Sequence, residues 1–426
     1  MTLTANEQYF LELVNRARLD PLAEAVLQGI DLNEGLAPGT LDGSARQVLA
    51  SNGFLDLAAE GHSAWMLQTD IFSHTGAGGT DPGQRMTAAG YSFTGTWTWG
   101  ENIAWSGTTG TINLASAISG HHRGLFLSSG HRVNILNDAF REVGIAQVSG
   151  QFTANGTTYN ASMATQNFAK SGTAVFLTGV VYSDSDHDGF YSIGEAGPAS
   201  VFAIGGATDT SEAAGGYAIA TTAAAGVLVQ INQGGALSSV RIDLSGGNAK
   251  LDLVGGSLVL ASADLELVSG IADARLLGIG DIDLRGNGAA NGLTGNNGAN
   301  LMVGVGGADR MLGGAGQDRL NGGGGTDRLG GGTGADRLTG GAKADHFVFG
   351  TGDSKDRIAD FALAQGDRLE LDDALWGNSA LTTAQVVASF AHVAAAGVSL
   401  DFGGGDVLTL AGLTTLAGLA GKIDIV

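Results

Sequence analysis

Apolar residues recur at helical spacing near the start of the chain, where Phe10, Leu13, Val14 and Ala17 mark one face of a helix predicted over 4–19 and ended by Asp20-Pro21. Thr4-Ala5-Asn6-Glu7 has the spacing of a capping box at its start. The stripe Leu55, Ala58, Ala59, His62 and Trp65 predicts a second helix over 54–67, with His62 facing inward as a hydrogen-bonded core histidine. A third, over 113–127, carries Leu114, Ala117, Ile118, His121, His122, Leu125 and Phe126 on one broad stripe. The period then shortens to that of strands, at 142–148 and 157–168 around an Asn155-Gly156 turn. Further short strands are predicted at 175–182, 201–204, 240–244, 249–254 and 257–260.

A different rhythm takes over near residue 300. Asp309, Asp318, Asp327, Asp336 and Asp345 stand nine residues apart in a glycine-saturated stretch, and the residue two after each is apolar: Met311, Leu320, Leu329, Leu338 and Phe347. A fixed period that short predicts a coil of near-identical turns, each a glycine turn followed by a minimal inward-pointing strand. One apolar side chain per unit makes a thin core, so stacked carboxylates would unravel the coil unless a hard, oxygen-seeking cation lay between turns; calcium is that cation. Asn291 and Asn300 hold the aspartate phase upstream, with Leu293 and Met302 in the apolar one, and predict turns that stack without strong calcium.

The totals narrow the picture. At 426 residues the chain exceeds one ordinary core and predicts several domains. A net charge of -21 favours divalent cations and disfavours nucleic acid and anionic membranes. With no cysteine, disulfides and thiolate metal sites are excluded. No apolar stretch approaches the roughly 20 residues of a membrane span. The amino terminus lacks a basic segment followed by an apolar run, so a Sec signal peptide is not expected.

In the middle of the chain, Asp184-Ser185-Asp186-His187-Asp188-Gly189 with Glu195 fits a calcium loop, in which Asp184, Asp186 and Asp188 coordinate directly, Phe190 through its carbonyl, Ser192 directly or through water, and Glu195 with both oxygens. The flanks are strand-like, so a β-sandwich rather than a helix-loop-helix hand is expected around it.

Three resemblances join these readings. The units GGAGQDRL, GGGGTDRL and GGTGADRL resemble the RTX repeat family, whose members generally carry a carboxy-terminal signal read by a type I secretion system; the tail 419–426 is similar to such an ending. The segments GHSAWM, FSHTG, GENIA, SSGHRVNIL and REVGIAQV resemble, in order, bacterial CAP domains of the cysteine-rich secretory, venom-allergen and pathogenesis-related superfamily. That resemblance implies an α-β-α sandwich whose cavity holds His74, Glu101 and His131, with His122 where many relatives carry a glutamate. Three imidazoles and one carboxylate would favour Zn²⁺. The segment LTGVVYSDSDHDGFYSIGEAGPASVFAI resembles the calcium-binding, immunoglobulin-like B repeats of surface adhesins.

The expected fold is thus multidomain α+β: a CAP domain at 1–170, an Ig-like spacer at 174–235, a β-rich connection at 236–285, an RTX parallel β-roll at 286–350 and a β-rich end at 351–426. The expected function is that of a secreted or surface protein that binds several Ca²⁺ ions, meets type I secretion machinery, and uses its CAP head to bind a small apolar ligand or a protein non-enzymatically. The alternatives are metal-assisted hydrolysis by the His/Glu cluster, for which no HExxH, GxSxG or cysteine nucleophile is present, and a structural role in a matrix or surface layer.

Overall fold

The computed structural model describes residues 2–426, which divide into two compact units: residues up to 237 with 243–256, and residues 238–242 with 257–426. Each is built on a different solution to burying apolar surface.

In the first unit, helix α1 (Ala5–Leu19) begins at the predicted capping box, with Thr4 accepting from the Glu7 amide and Glu7 accepting in return. Asp20-Pro21 ends it, but also starts α2 (Pro21–Gln28): Asp20 caps the new helix and Pro21 sits in its first turn, where a missing N–H costs nothing. Helices α3 (Gly53–Thr69), α4 (Pro82–Ala88), α5 (Leu114–Leu127) and α6 (Ser129–Ile135) follow. They enclose a four-stranded sheet in the order β1-β3-β4-β2, where β1 is Ala50–Ser51, β2 Trp97–Thr108, β3 Glu142–Ala154 and β4 Thr157–Ser171. The hairpin β3–β4 turns at Asn155 and Gly156, both with positive φ (50° and 78°) as a type I′ turn requires. On one face Phe10, Val14, Ile118 and Phe126 pack against Ile145 and Phe168; on the other Leu55 and Ala58 of α3 and Met86 of α4 pack against Ala169. This is the expected three-layer order.

Residues after 174 pair as two groups of strands. Val175–Tyr182 pairs antiparallel with Gly216–Thr221 and parallel with Ala249–Val254, while Ser200–Ile204 pairs antiparallel with Ala207–Thr210 and Val227–Gln233. Phe202 stacks on Tyr217 between them, ring centroids 3.8 Å apart. This β-region does not stand free of the helical part. Lys250 is buried against Glu12 of α1 at 2.8 Å and against Asp252, and Asn248 donates to the carbonyls of Val48 (2.9 Å) and Arg141 (2.6 Å). Burial pulls the Lys250 ammonium toward neutrality, but Asp252 and Glu12 outweigh it and hold the group charged.

The second unit is a parallel coil. Strands fall alternately on two sheets: Gly292–Thr294, Arg310–Gly316, Arg328–Gly334 and His346–Phe349 stack on one, Leu301–Gly306, Arg319–Gly324, Arg337–Ala342 and Lys355–Ile358 on the other. Leu293 lies opposite Met311 and Met311 opposite Leu329, so one turn takes two nonapeptides, one per sheet. The predicted apolar residues Met311, Leu320, Leu329, Leu338 and Phe347 fill the interior at 2 % exposure or less. Parallel stacking already joins Leu258–Ala261 to Asp273–Leu276 and Leu265–Ser269 to Leu284–Arg285 upstream, and continues through Arg368–Leu371 to Ile423–Ile425 downstream. The coil therefore starts before the clear repeats do, because the backbone ladder tolerates turns whose aspartate is missing.

Candidate functional site

Three sites follow from this architecture, and the coil holds the most regular. Each repeat aspartate is buried, and its Oδ1 accepts the backbone N–H of the residue one turn earlier: Asn291 to Asp309 at 2.8 Å, Asn300 to Asp318 at 2.8 Å, Asp309 to Asp327 at 2.9 Å, Asp318 to Asp336 at 2.7 Å and Asp327 to Asp345 at 3.0 Å. The Oδ2 atoms of all five are buried without a hydrogen-bond partner. Such a row of orphaned acceptors is costly unless something positive meets it. A glycine five residues before each aspartate keeps room beside that oxygen. A Cβ on Gly313 would fall 2.3 Å from Asp318 Oδ2 and 2.5 Å from the Gly331 carbonyl, so a carboxylate oxygen and a main-chain carbonyl of the neighbouring turn border one small space. Carboxylate and carbonyl oxygens are the donors calcium takes. The residues fit the ion.

Electrostatics agree. Burial pushes the Asp309 and Asp345 carboxyls up to about 6 and Asp318 up to about 7, against the backbone hydrogen bonds that lower them, with neighbouring aspartates adding repulsion. The ladder also runs past the predicted set. Asp356 accepts from the Asp336 amide at 2.9 Å with an orphaned Oδ2 of its own, and Asp367 accepts from Asp345 at 3.1 Å. Their separations from the preceding rungs slip to 20 and 22 residues, which hides them from a nine-residue scan. The asparagine turns work differently. Asn300 Nδ2 donates to the Ile282 carbonyl at 2.8 Å and Asn291 Nδ2 to the Ala272 carbonyl at 3.0 Å, so an amide N–H supplies the positive end that an aspartate turn must obtain from a cation.

In the loop after Tyr182, Asp184, Asp186 and Asp188 bring ligand oxygens within 4.8 Å of one another, and among the described residues no other group of three His, Cys, Asp or Glu does so. Gly189, with φ 75°, makes the turn. Glu195 is nearly buried and folds over the loop, accepting from the Ser185 amide and hydroxyl (both 2.7 Å) and from the Ser192 amide (2.9 Å). These bonds outweigh burial and hold its carboxyl below the usual range. The Phe190 ring leaves the loop and meets Tyr9 (6.2 Å) and the Arg16 guanidinium (5.2 Å) on α1.

The third candidate lies in the helical part. His74 Nδ1 is 2.8 Å from Glu101 Oε1, and Arg85 Nη2 donates to Glu101 Oε2 at 2.5 Å. His131 is near enough to His74 for the two imidazoles to repel, and burial with that repulsion lowers its pKa; its Nδ1 has no hydrogen-bond partner. Asn134 on α6 donates to the Glu101 carbonyl (3.3 Å) and to Asn102 (2.9 Å), which fixes α6 on the sheet. Three of the four predicted residues thus share a region. The fourth does not: His122 points to the opposite side of its helix surroundings, with Nε2 2.8 Å from Glu24 Oε1 and its ring against Phe10 and Phe126. Glu24 is in turn bound by Arg16 at 2.9 Å. The substitute for a cavity glutamate therefore serves as a buried hydrogen-bond partner of Glu24. Two residues join the site that spacing did not select. His62 is a buried core histidine as expected, its Nε2 donating to the Ser73 carbonyl (2.9 Å), yet Nε2 also lies 3.9 Å from Glu101. Arg85 was invisible because nothing in its segment ties it to Glu101. Zinc does not suit this arrangement: the cavity residues form no three-ligand group, and a guanidinium already neutralises their carboxylate.

Comparison with known proteins bears on both regions. Residues 11–168 match the model of the Cysteine-rich secretory protein family, and residues 294–329 and 326–354 match that of the RTX calcium-binding nonapeptide repeat. The chain carries a CAP domain and RTX repeats. Among solved structures, it is similar to an extracellular protein containing a SCP domain from Bacillus anthracis, at 23% identity over 38% of this chain and 39% of that one, with a TM-score of 0.25. It is also similar to an outer surface protein of Borrelia burgdorferi, at 18% identity over 29% of this chain and 78% of that one, with a TM-score of 0.22. The chain thus spans well under half of the Bacillus protein's length. A comparison with curated proteins gave no match. Among the described residues, no helix is long and apolar enough to cross a membrane.

Proposed function

We propose that this is a secreted protein, exported by a type I route, whose coil folds on extracellular calcium and whose CAP domain binds a ligand or partner without chemistry. The observation that carries the calcium half is the row of buried aspartates, each with one oxygen on the backbone ladder and the other orphaned. Extracellular calcium sites bind at roughly 10⁻⁴ to 10⁻³ M, so millimolar calcium stabilises each by only about 0.4 to 1.4 kcal/mol. Coupled through one coil, several such sites make a switch: unfolded at cytosolic calcium, ordered outside. The middle β-region, with Asp184, Asp186, Asp188 and Glu195, is an immunoglobulin-like spacer stiffened by a further ion.

Binding rather than hydrolysis is supported at the CAP cavity by the state of Glu101, which Arg85 and His74 both engage and which is therefore not placed as a free general base. Beside it His74 is half-exposed, open to a polar group on a bound molecule. The test is a calcium titration of chelator-stripped protein followed by circular dichroism, with hydrolytic turnover compared in wild type and His131→Ala. Cooperative gain of β signal and equal turnover in both are expected; no calcium-dependent signal would refute the calcium half, and turnover lost in the variant would refute the binding half.

A further inference from the structure

The outer face of one coil sheet carries a row that no function above uses. Arg319 lies in register with Arg337, and Arg337 with Arg357, so three guanidiniums stand on successive strands about 4.8 Å apart. Next to Arg319 the row meets Leu301 and next to Arg357 it meets Thr409, so no acidic residue directly adjoins the three arginines, the nearest along the row being Asp283 beyond Leu301. All three arginines are exposed, and among the described residues none has an ion-pair partner. Like charges placed directly opposite one another across a sheet are destabilising.

The other sheet has an equivalent row, Arg310, Arg328, His346 and Arg368, and there the fold supplies acids to every rung but Arg310. Arg328 and His346 both reach Glu370, at 2.7 and 3.1 Å, and Arg368 pairs with Asp424. The row of Arg319, Arg337 and Arg357 has no such acids, on a chain whose net charge is -21. A stack of positive groups kept unpaired on an acidic protein is a complement to anions supplied from outside. Because the guanidiniums stand on successive strands of one parallel ladder, the complement is a linear molecule with repeating anions, each able to take a two-pronged arginine contact.

We infer that this face binds an extended acidic polysaccharide through its carboxylates. Two other polyanions fit less well. Duplex nucleic acid carries one charge per about 1.7 Å, a density that the protein's overall negative field opposes. Anionic bilayers are usually held by clusters of about four to eight basic residues, more than this row supplies. A glycan with one carboxylate every sugar or two meets less long-range repulsion and can lie along the row.

The experiment uses the full chain in millimolar calcium and hyaluronan as the probe, since it bears uronate groups. Binding is read by affinity electrophoresis and calorimetry. A triple variant, Arg319→Gln with Arg337→Gln and Arg357→Gln, should weaken binding by about tenfold or more. A charge-matched control, Arg123→Gln with Lys170→Gln and Arg310→Gln, should bind as wild type does. Should the triple variant fail to fold, Arg337→Gln alone, the central rung, should still show a several-fold loss. The inference is overturned by absence of wild-type binding, by equal losses in ladder and control variants, or by tighter binding to duplex DNA or to equimolar phosphatidylserine and phosphatidylcholine vesicles than to hyaluronan.

Discussion

At Asp318 a single side chain bridges two demands, since one oxygen completes the backbone ladder and the other faces a space that only a cation can fill. Asn300 meets the corresponding need with an amide N–H. It follows that Asp318→Asn should remove calcium from its site, seen as a lower calorimetric stoichiometry, while leaving the turn folded; a full complement of calcium in the variant would contradict the assignment. His121 gives a second residue-scale prediction. Burial against Ser162 holds its imidazole down at about 4 from the ordinary 6.5. A base depressed in the folded state contributes stability that is complete above its unfolded pKa and is lost as pH falls, so the CAP domain should weaken from pH 6.5 down through about 4, by on the order of 3 kcal/mol. His121→Gln, which keeps a hydrogen-bonding atom near Nε2, should flatten that acid limb in thermal melts.

Elements depend on contacts that join distant pieces of chain. Strand Ala249–Val254 was expected within the β-rich connection at 236–285, but it pairs with Val175–Tyr182 and delivers Lys250 to Glu12 on α1. Lys250→Ala would strand two buried carboxylates, and the loss should approach about 3 to 5 kcal/mol, read as an earlier first transition in chemical denaturation. Within the coil the glycines are as consequential as the acids. A Cβ on Gly322 would come 2.4 Å from Asp327 Oδ2, so Gly322→Ala should lower calcium affinity with every aspartate still present, and unchanged calcium isotherms would count against the cradle. Both helical caps and hairpins were legible from local spacing, as Thr4, Glu7 and Asn155-Gly156 illustrate, whereas α2 was not, because Asp20-Pro21 signals an end and a beginning with the same two residues.

For the whole molecule the two units rest on different forces. The first buries a conventional core, including Phe10, Phe126 and Phe168, and should keep its transition in chelator, lowered only by loss of the ion at the Asp184 loop; the second has one apolar residue per repeat and should lose its transition in chelator and regain it on replenishment. A single calcium-insensitive melt would show that the coil needs no ion. The repeats, the calcium and the order of elements could be derived from sequence because that information is local: a nine-residue period fixes which side chain turns inward and which oxygen meets the next turn. Tertiary structure alone decided the rest. It set His122 on Glu24 instead of in the cavity, brought Arg85 onto Glu101, aligned Asp356 with the ladder, and left Arg319, Arg337 and Arg357 unpaired while giving Arg328 Glu370 and Arg368 Asp424. Each of these pairings joins residues whose separation follows no repeat, and the packing of helices and strands, to which short-range spacing is blind, determines which of them meet.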